Sequence, residues 1–145
     1  MSEPVFDHLQ AAFGVRLFTV TAHDRDGMVF RRCHTSHPAD YPLAGTKPLT
    51  LEDPWSRQVI TLGQTFVANS PDRFRDLFAD HAQIAALGCG SVANIPVSDD
   101  RGRVMGTVNA LDVAGHFTPE MLGGLEALVR RNCPALLRAF ADATF

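Results

Sequence analysis

A pair of strand-like segments joined by a charged turn constrains the fold of this chain most strongly. Residues 91–97 and 103–111 are apolar and rich in β-branched side chains, and the sequence Asp-Asp-Arg-Gly stands between them at 99–102. Aspartate and glycine tolerate the left-handed backbone that tight hairpin turns require. The pattern therefore predicts an antiparallel hairpin at the centre of a β-sheet.

Both strands of this hairpin carry unusual residues for a core. Asn94 and Asn109 stand where valine or isoleucine is expected, and a buried amide needs hydrogen-bond partners. We expect these amides to hold a covering loop in place through its backbone, with ligand contact as the alternative. Pro96 lies near the turn, and Gly106 interrupts the row of side chains on its strand. The glycine indicates a bulge or the close approach of another group.

The other elements are predicted from apolar spacing and from the residues that begin or end each segment. They are a helix over 2–13 capped by Ser2, a hairpin of strands 15–22 and 28–35, a proline-rich loop over 36–48, a helix over 52–62, an edge strand over 64–68, and a helical stretch from Asn69 whose Phe74, Leu77, Phe78 and Ile84 face inward. A long final helix begins at Thr118 and keeps its apolar stripe to Phe140. Pro134 lies inside it and predicts a kink or a break near 131–133.

This order of elements predicts an α+β domain. Short connections between neighbouring strands make the sheet mainly antiparallel, with the terminal helices on one face and the middle segments on the other. A chain of 145 residues is near the commonest size for a single core. We therefore expect one domain over residues 1–145, with a pocket between the sheet and the middle segments.

Composition excludes several classes of partner. The formal net charge is only -3, and basic residues occur singly or in pairs, which does not favour nucleic acid or an anionic membrane. No apolar run approaches the roughly 20 residues that span a bilayer. The N-terminus is acidic and lacks the features of a secretion signal. Cys33, Cys89 and Cys133 form no CxxC pair, so we expect free thiols in a reducing cytoplasm.

The sequence resembles the GAF domain family over nearly its whole length. The most specific likeness is NIPV at 94–97 followed by GxxxGTxNxL at 102–111, and YPLAGTKP at 41–48 resembles small stand-alone bacterial members. The resemblance implies an antiparallel sheet with a pocket on one face, and first and last helices that pair in a homodimer. It also implies a sensory role in signal transduction through a bound small molecule. Because no output domain is visible in the sequence, we expect a stand-alone binder or one that signals through a partner.

Known ligand signatures of the family are poorly matched. The cyclic-nucleotide members carry an Asn-Lys, Phe and Asp-Glu signature, but Asn69 and Phe74 lack the lysine and the acidic pair. The bilin-binding Asp-Ile-Pro motif is replaced by Asn94-Ile95-Pro96 on a different strand. The six histidines are scattered and have no metal-binding spacing. We therefore expect a small organic ligand, no cofactor and no metal.

The expected pocket combines aromatic walls with a few polar groups, as small-ligand sites generally do. Trp55 and Tyr41 could instead plug the core and anchor a loop, and Lys47 could be an ordinary solvated lysine. The candidate ligand-binding residues are Phe18, Tyr41, Lys47, Trp55, Phe78, Cys89, Ser91, Asn94 and Asn109.

Two alternatives to a ligand sensor remain. Free methionine-R-sulfoxide reductases are catalytic members of the resembled family, and their nucleophile lies where this chain has Cys89. Such an enzyme or redox sensor would need a reactive thiolate at Cys89. However, the spacing differs, the second family cysteine is absent, and Val92 and Asn109 replace acidic pocket residues. A protein–protein interaction module with an exposed helix stripe is the other alternative.

Overall fold

The computed structural model describes residues 3–143 and 145. Its helices are α1 (Pro4–Phe13), α2 (Pro54–Ser56), α3 (His81–Ala86), α4 (Pro119–Arg131) and α5 (Cys133–Ala141), with a π turn at Arg57–Thr61 and a 3-10 turn at Pro71–Arg73. Its strands are β1 (Leu17–Asp24), β2 (Val29–Thr35), β3 (Lys47–Pro48), β4 (Phe66–Ala68), β5 (Ser91–Ser98) and β6 (Val104–Asp112). The strands form one sheet in the order β3-β2-β1-β6-β5-β4, and every neighbouring pair is antiparallel.

The predicted α+β class and antiparallel sheet are confirmed. The hairpin of β5 and β6 pairs Asn94 directly with Asn109, and β6 also pairs with β1. The turn between β5 and β6 is fixed by Asp99, whose carboxylate accepts hydrogen bonds from the backbone N–H groups of Arg101 and Arg103. Gly102 supplies the left-handed conformation, with φ of 80°, that the turn requires.

Alternation along the strands divides the sheet into two faces. On one face, Phe18, Val20 and Val108 join the main apolar core with α1, α4 and α5. The opposite face is covered by the loop after β2, by α2 with its π turn, and by α3. Because successive strand side chains point to opposite sides, the residues between those core positions face this second layer.

The ends of the helices follow the residues that the sequence supplies. Asp53 caps α2 by accepting a hydrogen bond from the Ser56 backbone, and Thr118 caps α4 in the same way. The predicted kink or break in the final helix is present as a break, since α4 ends at Arg131 and α5 begins at Cys133. The expected cap of α1, Ser2, lies outside the described residues, and Glu3 occupies the N-cap position.

Three segments between β2 and β5 differ from expectation. The loop over 36–48 ends in the two-residue strand β3, which pairs with β2. The helix expected over 52–62 covers only 54–61 and changes to π geometry after its first turn. The helical stretch expected from Asn69 consists of short turns before α3, and Leu77 is 41% exposed. Phe74 and Leu77 are three positions apart, a spacing that puts two side chains on one face only in a helix. Because no continuous helix forms here, Leu77 does not share a face with the buried Phe74.

Candidate functional site

A cavity of about 590 Å³ lies between the sheet and the second layer. This size is within the range of small-molecule sites. Its floor is formed by side chains of β1, β5 and β6, including Thr19, Thr21, Asn94 and Asn109. Its walls come from β2, β3, α2, α3 and the segments between them. The cavity is therefore bounded by the sheet on one side and by short helices and loops on the other.

The floor holds a continuous chain of side-chain hydrogen bonds. Trp55 Nε1 donates to Asn94 Oδ1 at 3.0 Å, and Asn94 Nδ2 donates to Asn109 Oδ1 at 2.8 Å. Asn109 Nδ2 then donates to the hydroxyl oxygens of Thr19 and Thr21 at 3.1 and 3.2 Å. The buried amides thus find partners across three strands, as buried polar groups must. Asn94 holds the cover through the Trp55 side chain, whereas the sequence had suggested loop backbone.

A second polar cluster joins two segments of the wall. Arg32 on β2 lies 3.7 Å from the centre of the Tyr41 ring and donates to the Pro42 carbonyl at 2.6 Å. It also pairs with the Asp80 carboxylate at 3.2 Å, and the Tyr41 hydroxyl donates to that same carboxylate. Burial and the neighbouring carboxylate raise the pKa of Tyr41, so its hydroxyl keeps its proton. The cluster ties the loop after β2 to the start of α3.

His23 is the one buried histidine of the cavity wall among the described residues, with 5% of its surface exposed. Its Nδ1 has no hydrogen-bond partner among the described residues. Burial first, and then the nearby Arg25 charge, lower the pKa of His23 from 6.5 to about 4. The imidazole is therefore neutral at neutral pH.

Lowering the pH from 7.5 to 5 is expected to reduce the free energy of unfolding by about 2 kcal/mol through His23 alone. The unfolded imidazole binds a proton near pH 6.5, whereas the folded one does so near pH 4. The unfolded state therefore binds more protons between these values, so stability is full above pH 6.5 and is lost as pH falls toward 4. Urea unfolding at both pH values measures the loss. His23→Gln should show a smaller loss over this interval, and an equal loss would contradict the assignment.

The structure brings six of the nine candidate residues to the cavity. These are Tyr41, Lys47, Trp55, Phe78, Asn94 and Asn109. The rings of Trp55 and Phe78 meet edge to face, with centroids 6.3 Å apart. The cavity thus combines an aromatic wall with an amide floor.

The other three candidates lie elsewhere, and their expected positions are corrected. Phe18 packs among α1 side chains on the opposite face of the sheet, next to Phe13. Ser91 is fully buried, and its hydroxyl donates to the backbone carbonyls of Asp112 and Val113. Both lie on the wrong side because alternate strand residues face opposite ways. Cys89 precedes β5 and is buried in an apolar cluster.

The environment of Cys89 does not favour a nucleophilic thiolate. The residue is 4% exposed, and burial raises the pKa of its thiol to about 11, with a further contribution from Asp112. Thiolate nucleophiles need a lowered pKa and access to substrate. The pKa values of Cys33 and Cys133 are also raised by burial. None of the three thiols has the environment that the reductase alternative requires.

Sequence reasoning missed several residues of the cavity. Thr19, Thr21 and His23 alternate along β1 and form one edge of the floor. This period of two between apolar neighbours was a readable signal for one polar strand face. Arg32 and Asp80 had no such signal, because 48 residues separate them in the chain and only the fold brings them together.

Within residues 3–143 and 145, no cluster of three or more histidine, cysteine or acidic side chains could hold a metal ion. None of the helices in this described part is long and apolar enough to cross a membrane.

Comparisons with known proteins agree with the fold. The family model described as GAF domain matches residues 1–131. No curated protein matches the chain significantly.

Solved structures similar to this chain include several that contain GAF domains. The GAF domain of a two-component sensor histidine kinase from Bacillus halodurans has a TM-score of 0.74 at 15% identity, covering 96% of this chain and 95% of that one. A GAF domain/HD domain protein from Geobacter sulfurreducens has a TM-score of 0.72 at 14% identity, covering 94% and 92%. The PixJ GAF-domain of Thermosynechococcus elongatus, in its blue-light absorbing form, has a TM-score of 0.65 at 17% identity, covering 94% and 83%. At these identities the likeness concerns the fold.

Proposed function

The chain belongs to the GAF domain family, and from this premise we propose that it is a sensory domain that binds a small organic molecule in the cavity above β1, β5 and β6. The observation that carries the proposal is the cavity of about 590 Å³ whose cover is hydrogen-bonded to the sheet through Trp55 and Asn94. Pockets of this size with apolar walls and a few oriented polar groups are the usual form of ligand sites. Related domains belong to sensor kinases, which supports a regulatory role.

The lining of the cavity supports non-covalent binding. Trp55 and Phe78 present aromatic surface, and Thr19, Asn94 and Asn109 present polar atoms. Aromatic groups bind by burying apolar area, whereas a few polar groups select the orientation of the ligand. Cys89 lies outside this lining, so the proposal needs no covalent link to the protein.

We further propose that the domain forms a homodimer through α1 and the α4–α5 pair, the described parts of segments 2–13 and 118–140. Met121 of α4 is exposed, and Gly123 and Gly124 on the same helix have open space beside them. Small exposed residues allow a second helix to approach closely. In such a dimer, the main apolar core would link the ligand-binding sheet of each copy to the helices of the other copy.

We place the domain in the bacterial cytoplasm. Cys33, Cys89 and Cys133 are free thiols in the structure. Free cysteines are typical of reducing compartments.

Native mass spectrometry of freshly purified protein tests ligand and dimer together. We expect a bound mass of a small metabolite that leaves the protein when it is denatured, and a particle of two subunits. Gln83 lies on α3 at the cavity and is exposed, so Gln83→Trp should occlude the cavity without disturbing the core. This variant is expected to lose the bound mass.

Ala82→Trp provides the matched control. Ala82 is exposed on the same helix but does not line the cavity, so this variant should retain the bound mass. The proposal is overturned if the purified protein carries no small molecule and no compound of a metabolite library raises its melting temperature. Equal binding by both tryptophan variants would move the site away from this cavity.

A further inference from the structure

The direction of the hydrogen-bond chain on the cavity floor is fixed at one end. An indole nitrogen can only donate, so Trp55 must face the oxygen of the Asn94 amide. The Asn94 nitrogen is then directed at Asn109 and must meet its oxygen, which leaves the Asn109 nitrogen facing β1. The amide orientations therefore follow from Trp55 alone.

This direction determines what the floor offers to a ligand. Because Asn109 Nδ2 donates to Thr19 and Thr21, both hydroxyl oxygens act as acceptors in the chain. Each hydroxyl has one proton of its own to donate, and the structure records no acceptor for either proton among the described residues. Asn94 uses one amide proton on Asn109 and has a second. Three donor protons of the floor therefore have no recorded acceptor among the described residues, whereas each of its amide oxygens already accepts one hydrogen bond.

The cavity lining also carries two basic and two acidic side chains, Arg32, Lys47, Asp53 and Asp80. Lys47, the only lysine of the chain, lies on β3 opposite Phe30, so both side chains share the cavity face of the sheet. Lys47 forms no ion pair with any residue of 3–143 or 145. Arg32 is already paired with Asp80, and the Asp53 oxygens accept hydrogen bonds from Thr50 and Ser56. Lys47 is thus the one cation of the described lining that is in no ion pair, whereas the Asp53 carboxylate is held by hydrogen bonds from neutral groups at the start of α2.

We propose that the cavity selects an aromatic carboxylate. Its ring packs against Trp55 and Phe78, its carboxylate pairs with Lys47, and an acceptor oxygen meets the hydroxyl protons of Thr19 and Thr21. The inference rests on the proposed function and specifies the chemical class of the ligand. A ligand without an acceptor oxygen would leave the donors of the floor unpaired, which is costly for buried groups, and a cationic ligand would meet Lys47 as a like charge.

Three probes that share one ring system test this class by isothermal titration calorimetry. They are 2-naphthoate, 2-naphthamide and 2-naphthylmethylamine, which differ in charge but share one ring system. We expect 2-naphthoate to bind at least about tenfold more tightly than the amide, and the amine to bind most weakly. Lys47→Met should remove the preference for the carboxylate over the amide, whereas Lys47→Arg should keep it. Lys47 is exposed, so neither variant threatens the fold.

The single lysine allows a direct readout of the contact. Reductive methylation with ¹³C-formaldehyde labels Lys47 and keeps its positive charge, giving one side-chain NMR signal besides that of the N-terminus. Addition of 2-naphthoate should shift this signal, and 2-naphthamide should leave it in place.

Equal affinities for the three probes, tighter binding of the amine, or no binding by any of them would overturn the inference. An unshifted Lys47 signal with bound 2-naphthoate would do the same. Because the proposed function is tested by the mass that purifies with the protein, a bound neutral metabolite would end this inference and leave the proposed function standing.

Discussion

Replacing Phe18 with alanine is expected to lower the free energy of unfolding by about 3–5 kcal/mol. The side chain is 0% exposed and lies on the helix face of the sheet. Its ring centre is 5.2 Å from that of Phe13 and 5.7 Å from that of His34, both in edge-to-face geometry. Truncation removes these contacts and leaves a void that the surrounding sheet and helix cannot close. Urea unfolding followed by circular dichroism measures the loss.

Phe78→Ala is the matched variant on the other face. Phe78 lines the cavity and is half-buried, so its removal should cost less stability than removal of Phe18. It should weaken binding of 2-naphthoate, which Phe18→Ala should leave within about twofold while the protein is folded. The reverse pattern, with Phe18→Ala impairing binding more than Phe78→Ala, would contradict the assignment of the two faces.

Gly106→Ala is expected to destabilise the protein by about 3 kcal/mol or more. A Cβ at this position would lie 2.5 Å from the Thr21 carbonyl oxygen and 2.6 Å from Cζ of Phe140. The carbonyl belongs to the backbone of β1, which pairs with Gly106 through Ala22, so it cannot move away without breaking the sheet. Thermal unfolding by differential scanning calorimetry checks the expected large fall in melting temperature.

Two further variants separate the causes of this effect. Gly45→Ala, in the loop before β3 with open space around it, should leave the melting temperature nearly unchanged because its methyl group meets no neighbouring atom. Adding Phe140→Leu to Gly106→Ala should relieve only the contact with the ring, so recovery should be partial. A melting temperature of Gly106→Ala close to that of the unchanged chain would show that the sheet adapts to the methyl group.

The hairpin and its polar centre could be predicted because their signals are local. The charged turn at 99–102 fixes which strands pair, and two asparagines in otherwise apolar strands indicate a need for partners. Gly106 likewise indicated a bulge or the close approach of another group, and the structure has both. Phe140 packs where a side chain would stand, and the pairing with β5 shifts by one residue beside Gly106.

The side of the sheet on which a residue lies was harder to predict. An aromatic side chain suits a cavity wall as well as a core, so Phe18 carried no sign of its face. Its position follows from the register that pairs its neighbour Thr19 with Asn109, a contact 90 residues distant in the chain. Ser91 was a different case, because it and Asn94 are three positions apart on one strand. Alternation alone places two such residues on opposite faces.

The segments that cover the cavity could be predicted least well. Between residues 69 and 80 the chain forms short turns although its apolar spacing resembles that of a helix. The conformation there depends on contacts such as Asp80 with Arg32 and Tyr41, which no local pattern contains. Local propensity is a weak guide where tertiary contacts decide the backbone.

The placement of Trp55 has a practical consequence for optical measurements. It is the only tryptophan of the chain, and its indole N–H is the first donor of the floor network. The emission maximum of an indole depends on the hydrogen bonding and polarity around it. The tryptophan fluorescence of this domain therefore comes from a single emitter at the cavity, and a spectral change on adding a non-absorbing compound reports events at that position without any attached dye.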